Sequence, residues 1–260
     1  MNTYKVTAIY FSPTGTSEKG VKAIAKVLDT EFKSIDMTMV EAGIQEQEFD
    51  ENDLVVFGAP VYGGRLFTKS GSALKQMKGN KTPCVITVTY GNRNYDDALL
   101  EMSDIAKEQG FIPIAGAALI GEHTFGEIEL GRPNEADMKE DTAFADKIQE
   151  KLHTFSMGKI VGAIAMPGQY PYKDGGAGGG FRPSTLDTCV ECGMCAKRCP
   201  MQAIDSEDVS KVDHEKCISC FRCIKSCPVQ AKVCDNPEYI TFAEGFTKRL
   251  SERRENEYFI

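Results

Sequence analysis

The 260-residue sequence contains no tryptophan, so any aromatic stacking falls to its other rings. It has no apolar run approaching the ~18 residues that span a bilayer, which argues against membrane insertion. Met1 to Phe11 is a short mixed segment with one lysine and no small-residue cleavage site, so the sequence reads as cytoplasmic rather than secreted. The G-x4-G-K-[ST] pattern of nucleoside triphosphatases is missing. There is no H-x-E-x-D-like di-iron set and no nicotinamide fingerprint, which disfavours oxygen reduction and direct NAD(P)H oxidation. Positive charge is also short: the net charge of -8 arises within residues 1–155, with 24 acidic against 16 basic side chains, and the remainder is balanced. This balance argues against a nucleic-acid partner and points to partners with positive faces. The acidic run from Glu41 to Asp53 reads as solvated surface or as a docking patch for a basic partner.

Cysteine, by contrast, is plentiful. Eight of the ten fall in two copies of C-x2-C-x2-C-x3-C-P: Cys189, Cys192, Cys195 and Cys199 before Pro200, then Cys217, Cys220, Cys223 and Cys227 before Pro228. Every position repeats after 28 residues, as in a duplicated unit. Three closely spaced thiolates grip three corners of an iron-sulfur cube, and the displaced fourth points to the other cube. The expected ligation is crossed: Cys189, Cys192, Cys195 and Cys227 on one 4Fe-4S cluster, and Cys217, Cys220, Cys223 and Cys199 on the other. Zinc is the competing reading, but it favours paired C-x2-C knuckles, often completed by histidine, and His214 is the only imidazole nearby. A disulfide framework suits neither the spacing nor a reducing compartment. Cys84 and Cys234 read as buried small apolar residues.

Upstream, apolar strands at Tyr4 to Phe11, Phe32 to Asp36, Leu54 to Ala59, Val85 to Thr89 and Phe111 to Ile120 alternate with helical stretches. The helices include one carrying Val21, Ile24, Ala25 and Leu28, then Asp96 to Gln109 and Glu135 to Phe155. This order predicts an α/β doubly wound, five-stranded parallel sheet over residues 1–155. Residues 156–185, with three prolines and the run from Gly175 to Gly180, read as a connector and not as a nucleotide loop. Residues 186–234 form the α+β cysteine domain. Residues 235–260 are expected to add a helix capped by Asn236-Pro237, with Tyr239, Phe242, Phe246 and Leu250 on one face.

Ligands of such sheets bind at the carboxyl ends of the strands, near the point where strand order reverses. Ser12, Thr14, Gly15, Thr16 and Ser17 lie there and open a helix, so their hydroxyls and backbone N–H groups suit a phosphate. With no lysine in the loop, a monophosphate fits better than a triphosphate. A plain helix cap is the structural alternative.

Ser12-Pro-Thr-Gly-Thr-Ser17, Ala59-Pro-Val-Tyr-Gly-Gly-Arg65 and Thr89-Tyr-Gly-Asn-Arg93 together resemble an FMN-binding flavodoxin. Joined to the cysteine half, the chain resembles the flavodoxin-ferredoxin fusions called EFR-type ferredoxins. The resemblance implies that Ser12 to Ser17 hold the FMN phosphate. It places Pro60, Val61, Tyr62, Gly63, Gly64 and Arg65 on one flavin face, and Tyr90, Gly91, Asn92, Arg93 and Tyr95 on the other face and the pyrimidine edge. Tyr62, Tyr90 and Tyr95 are the aromatics available to stack. Gly63-Gly64 is suited to reorient and offer a carbonyl to reduced flavin. Arg93 serves either the flavin edge or a pair with Asp96 or Asp97. His123 reads as a loop histidine or as a proton donor to flavin. The implied function is a low-potential electron carrier of anaerobic metabolism, passing electrons among FMN, two 4Fe-4S clusters and redox partner proteins. The alternative is a flavin-dependent reductase of a small organic acceptor fed by the clusters.

Overall fold

A computed structural model describes residues 4–156 and 162–260, so the start of the connector, 157–161, lies outside the described residues. Along the first half run β1 (Lys5–Tyr10), α1 (Thr16–Leu28), β2 (Lys33–Asp36), β3 (Gln47–Phe49), β4 (Asp53–Tyr62), β5 (Arg65–Leu66) and α2 (Thr68–Leu74). There follow β6 (Met77–Gly79), β7 (Thr82–Tyr90), α3 (Ala98–Glu108), β8 (Phe111–Ile120) and α4 (Glu135–Ser156). The strands β2-β1-β4-β7-β8 lie parallel in that order. Strand order therefore reverses beside β1, which opens a cleft at its carboxyl end.

Both faces of the sheet are covered, so its strands are apolar almost throughout. Val6, Ala8 and Tyr10 of β1 turn to one side, where α1 supplies Val21 and Ile24 and α4 supplies Phe144 and Ile148. Ile9 and Phe11 turn to the other, against Leu99, Met102 and Ile105 of α3. Each large side chain so buried contributes roughly 1.5–3 kcal/mol. No helix among the described residues is long and apolar enough to cross a membrane.

The second half contains β9 (Ser184–Thr185), α5 (Met194–Lys197), α6 (Arg222–Lys225) and β10 (Lys232–Val233). Its duplication is written in the backbone as well as in the cysteines. Positive φ angles recur 28 residues apart at Glu191 and Ser219, at Gly193 and Phe221, and at Gln202 and Gln230.

One expectation needs correction. The tail holds more than the helix α7 (Pro237–Arg249), whose Asn236 Oδ1 accepts from the Tyr239 N–H as a cap should. It continues into β11 (Glu257–Phe259), which pairs antiparallel with β8 and extends the five-stranded parallel sheet. Three residues with no turn signal before them carry too little pattern to announce a strand. The described part of the connector is docked on both halves. Gln169 and Lys173 donate backbone N–H groups to the Asp97 carboxylate, Gly176 N–H donates to the Tyr62 carbonyl, and Gly179 N–H donates to the Ile218 carbonyl.

Candidate functional site

The cleft predicted by strand order holds the principal cavity, about 300 Å³. Its floor is the loop between β1 and α1, where Gly15 takes a left-handed conformation (φ 84°) and lets the helix start at Thr16. Ser17 Oγ is buried (1% exposed) and has no hydrogen-bond partner in the protein, as has Thr89 Oγ1 at the end of β7. One orphaned hydroxyl at a helix N-terminus and another at the end of β7 fit a phosphate-bearing ligand, because an unmet buried hydroxyl costs about 1–3 kcal/mol.

Of the residues expected at the flavin, Thr14, Thr16, Ser17, Pro60, Val61, Tyr62, Gly63, Tyr90 and Gly91 line this cavity. Ser12, Gly15, Gly64, Arg65, Asn92, Arg93 and Tyr95 do not, and several have other work. Ser12 Oγ accepts from the Glu18 N–H, a capping contact within the first turn of α1. Arg65 makes a bidentate pair with Glu101, both contacts at 2.8 Å, and donates to the Lys173 carbonyl. Arg93 pairs with Asp96. Asn92 Nδ2 donates to the carbonyls of Leu250 and Glu252 while its Oδ1 accepts from the Arg254 N–H, which clamps the tail. Tyr95 donates to Glu257 and meets the Tyr90 ring at 5.3 Å.

Gly63 (φ 63°) and Gly64 (φ 93°) form the two-residue turn of the β4–β5 hairpin, and both need the positive φ of such a turn. The turn is held at both sides: Tyr62 O accepts from Gly176 N–H and Gly64 O from Asp97 N–H.

Of the remaining wall, sequence reasoning put His123 beside the flavin as one of its two readings but missed the side built from the connector and the cysteine domain. Gly121 to Phe125 close one side, and Ala177 to Gly179 with Ile218 to Cys220 close another. The glycine run was the available signal. A Cβ on Gly178 would stand 2.4 Å from Ile218 Cα, so only glycine permits the connector to lie this close to the cysteine domain. Burial pushes the His123 imidazole down to about 4. Its Nδ1 lies 2.8 Å from the Phe125 backbone nitrogen and 3.0 Å from the Phe125 carbonyl oxygen, and at neutral pH the ring is uncharged. Phe125 in turn meets the rings of Phe181, Phe221, Tyr239 and Phe242, joining loop, connector, cysteine domain and α7.

The eight cysteines divide between two smaller cradles. Cys199, Cys217, Cys220 and Cys223 line an inner one and Cys189, Cys192, Cys195 and Cys227 an outer one, the crossed partition. Each cradle brings four thiols around a hollow, and among the described residues no three His, Cys, Asp or Glu side chains gather on a single ion. That arrangement suits a cube held at its corners. The Ala203 N–H donates to Cys199 Sγ and the Ala231 N–H to Cys227 Sγ, the same bond in each repeat. Burial pushes the free thiols of Cys220 and Cys223 up to about 12. Metal binding there must therefore release protons. At Cys227 burial opposes ionisation, but backbone N–H groups from Val229 to Lys232 outweigh it and hold the thiol below its ordinary value.

Comparison with known proteins agrees with this division. Residues 7–80 match the family model of a flavodoxin domain, and residues 188–231 that of a 4Fe-4S dicluster domain. No curated protein matches the chain. Among solved structures it is similar to oxidised flavodoxin 2 of Bacillus cereus, at 17% identity over 56% of this chain and 99% of that one, TM-score 0.42. Flavodoxin 1 of the same organism shows 16% identity over 56% and 97%, TM-score 0.40. Rubredoxin oxygen:oxidoreductase of the anaerobe Desulfovibrio gigas shows 15% identity over 59% of this chain, which spans only 37% of that one, TM-score 0.39. The two matched domains define an iron-sulfur flavoprotein with an electron-transfer role. The order of the domains fits a flavodoxin-ferredoxin fusion.

Proposed function

We propose that the chain is an internal electron relay, in which one FMN and two 4Fe-4S clusters exchange electrons and connect one-electron with two-electron redox partners. One observation carries this reading: Ile218 and Cys220 line both the flavin cavity and the inner cysteine cradle. A single ligand residue thus separates the two centres. When bound, FMN supplies a two-electron couple and each cluster a one-electron couple.

The chain's own residues hold and insulate these groups. Ser17 and Thr89 would take the flavin's polar end, Pro60 to Gly63 and Tyr90 to Gly91 would flank its ring, and Gly178, Gly179 and Ile218 to Cys220 would keep water from the gap to the inner cluster. Partner proteins reach the outer cradle, where Cys192 is exposed and Val190, Met194 and Val229 form an apolar rim. The relay is assigned to the cytoplasm. The reductase reading has less support, since His123 is uncharged at neutral pH and Ala177 to Gly179 of the connector already wall one side of the cavity.

Anaerobic purification with iron, sulfide and flavin quantified tests the relay, expecting about eight irons and one FMN per chain. Stopped-flow reduction should then show electrons passing between clusters and flavin faster than either exchanges with a slow external donor. Colourless or zinc-loaded protein, or clusters and flavin reduced independently, would overturn it. Steady turnover of a quinone, enone or nitro compound would favour the reductase instead.

A further inference from the structure

Lys232 is a lysine almost without solvent, 2% exposed, and without an acidic partner. Its Nζ donates to Thr185 Oγ1 at 2.6 Å and to the Val209 carbonyl at 2.5 Å, both neutral. Among the described residues no carboxylate pairs with it. A buried ammonium needs a compensating negative charge to be tolerated. The only candidates are the thiolates around it, since Lys232 lines the outer cradle and acts electrostatically on Cys195, with a further reach to Cys223.

The duplication supplies an internal control. Twenty-eight residues earlier the equivalent position is Ile204, 6% exposed, which lines the inner cradle. One repeat therefore sets a cation beside its cluster where the other sets an aliphatic side chain. The inner cradle has Arg222 and Arg182 near it, but both are partly exposed, and Arg182 is committed to the carbonyls of Gly179, Phe181 and His214. Water screens them as it cannot screen Lys232.

We infer that Lys232 is the counter-charge of the outer cluster and holds its reduction potential above that of the inner one. Reduction adds one electron to a cube that already carries about -2, so a nearby fixed cation favours the reduced form. An electron moving from the inner to the outer cluster then runs downhill, from the flavin side towards the exposed rim. This rests on the reading of the two cysteine sets as 4Fe-4S ligands.

The test is a potentiometric titration of the anaerobic holoprotein followed by electron paramagnetic resonance. The inner cluster is identified as the one retained in Cys192→Ala protein. In wild type the outer cluster should be reduced first, with its equilibrium displaced at least tenfold from the inner one, about 59 mV for one electron. Lys232→Gln keeps a donor and removes the charge, so it should lower the outer potential by about that amount and the inner one by less, at unchanged iron content. Wild-type protein in which the inner cluster is reduced first, or both together, overturns the inference without any variant. So does a fully iron-loaded Lys232→Gln protein that titrates like wild type. Wild-type iron far below about eight per chain would instead overturn the cofactor reading, and the role of Lys232 with it.

Discussion

The two cysteine cradles descend from one repeat and have been placed in opposite surroundings. Ile218, Met201 and Phe221 beside the inner cradle are buried, at 7%, 3% and 5% exposure, whereas their counterparts Val190, Val229 and Gly193 beside the outer one lie at or near the surface, Val190 at 63%. Cys199, Cys217 and Cys220 of the inner set pack against the hydrophobic core of the flavodoxin half, whereas Cys189 and Cys195 of the outer set touch only a small cluster with Ile204 and Val209, which Cys199 and Cys223 of the inner set also reach. Burial and exposure are among the levers that set cluster potentials. Duplication supplied two equal sites, and the fold made one an internal junction and the other a terminal.

The largest expected effect separates the two directly. Cys220→Ala should remove the inner cluster and, because Cys220 also walls the flavin cavity, weaken FMN binding about tenfold or more, roughly 1.4 kcal/mol. Cys192→Ala should remove the outer cluster and leave FMN affinity unchanged. Iron content and flavin fluorescence quenching read both, and equal flavin affinity in the two variants would break the comparison. Next, Phe221→Gly rewrites the inner repeat with the residue of the outer one. It discards a buried aromatic at a cost of about 3–5 kcal/mol, less about 1 kcal/mol recovered because Phe221 sits at φ 54° where glycine is unstrained. Denaturant titration should show that loss, whereas Gly193→Ala should cost about 1–2 kcal/mol, since the strain of a positive φ is its one evident penalty.

Much of this was legible in the residues and some could not have been. The five parallel strands, the phosphate loop and the crossed cysteine sets follow from period, position and spacing, which are local or strictly repeated signals. Arg93 meets Asp96, three residues on, which was one of its two readings, but Arg65 and Asn92 sat in the right loops and face partners 36 to 162 residues away, which no local pattern encodes. The glycine run was visible as punctuation, yet its role as a wall depends on Ile218 approaching from another domain. Lys232 looked like any lysine until the 28-residue repeat set it against Ile204.

A smaller effect should come from the clamp on the tail. Asn92 holds three backbone groups between Leu250 and Arg254 and is 1% exposed. Asn92→Ala removes those bonds, each worth about 0.5–1.5 kcal/mol net. With the tail loosened, α7 should pack less firmly on Phe221 and Phe125, so the flavin should be released several degrees earlier on heating while the outer cluster keeps its spectrum. Simultaneous loss of both centres would show that the cradles share one cooperative unit.

The smallest effect is one of pH, at the far end of the same tail. Tyr258 of β11 donates to Asp141 Oδ1 at 2.8 Å. Burial, helped by nearby Asp137 and Glu140 and opposed by the Tyr258 hydroxyl, pushes the Asp141 carboxyl up to about 7. A carboxyl raised in the folded state binds its proton there while the unfolded chain, with a value near 3.8, has released it. Stability from this group is therefore full below about pH 4 and declines as pH rises to about 7. Asp141→Asn keeps an acceptor for Tyr258 and abolishes the titration, so it should match wild type near pH 4 and exceed it at pH 8. Denaturation midpoints across that range check the sign, and a wild-type curve that rises between pH 5 and 7 relative to the variant would exclude Asp141 as the titrating group. If the tail is what keeps the inner cradle dry, flavin retention should follow the same curve, and retention of the outer cluster should not.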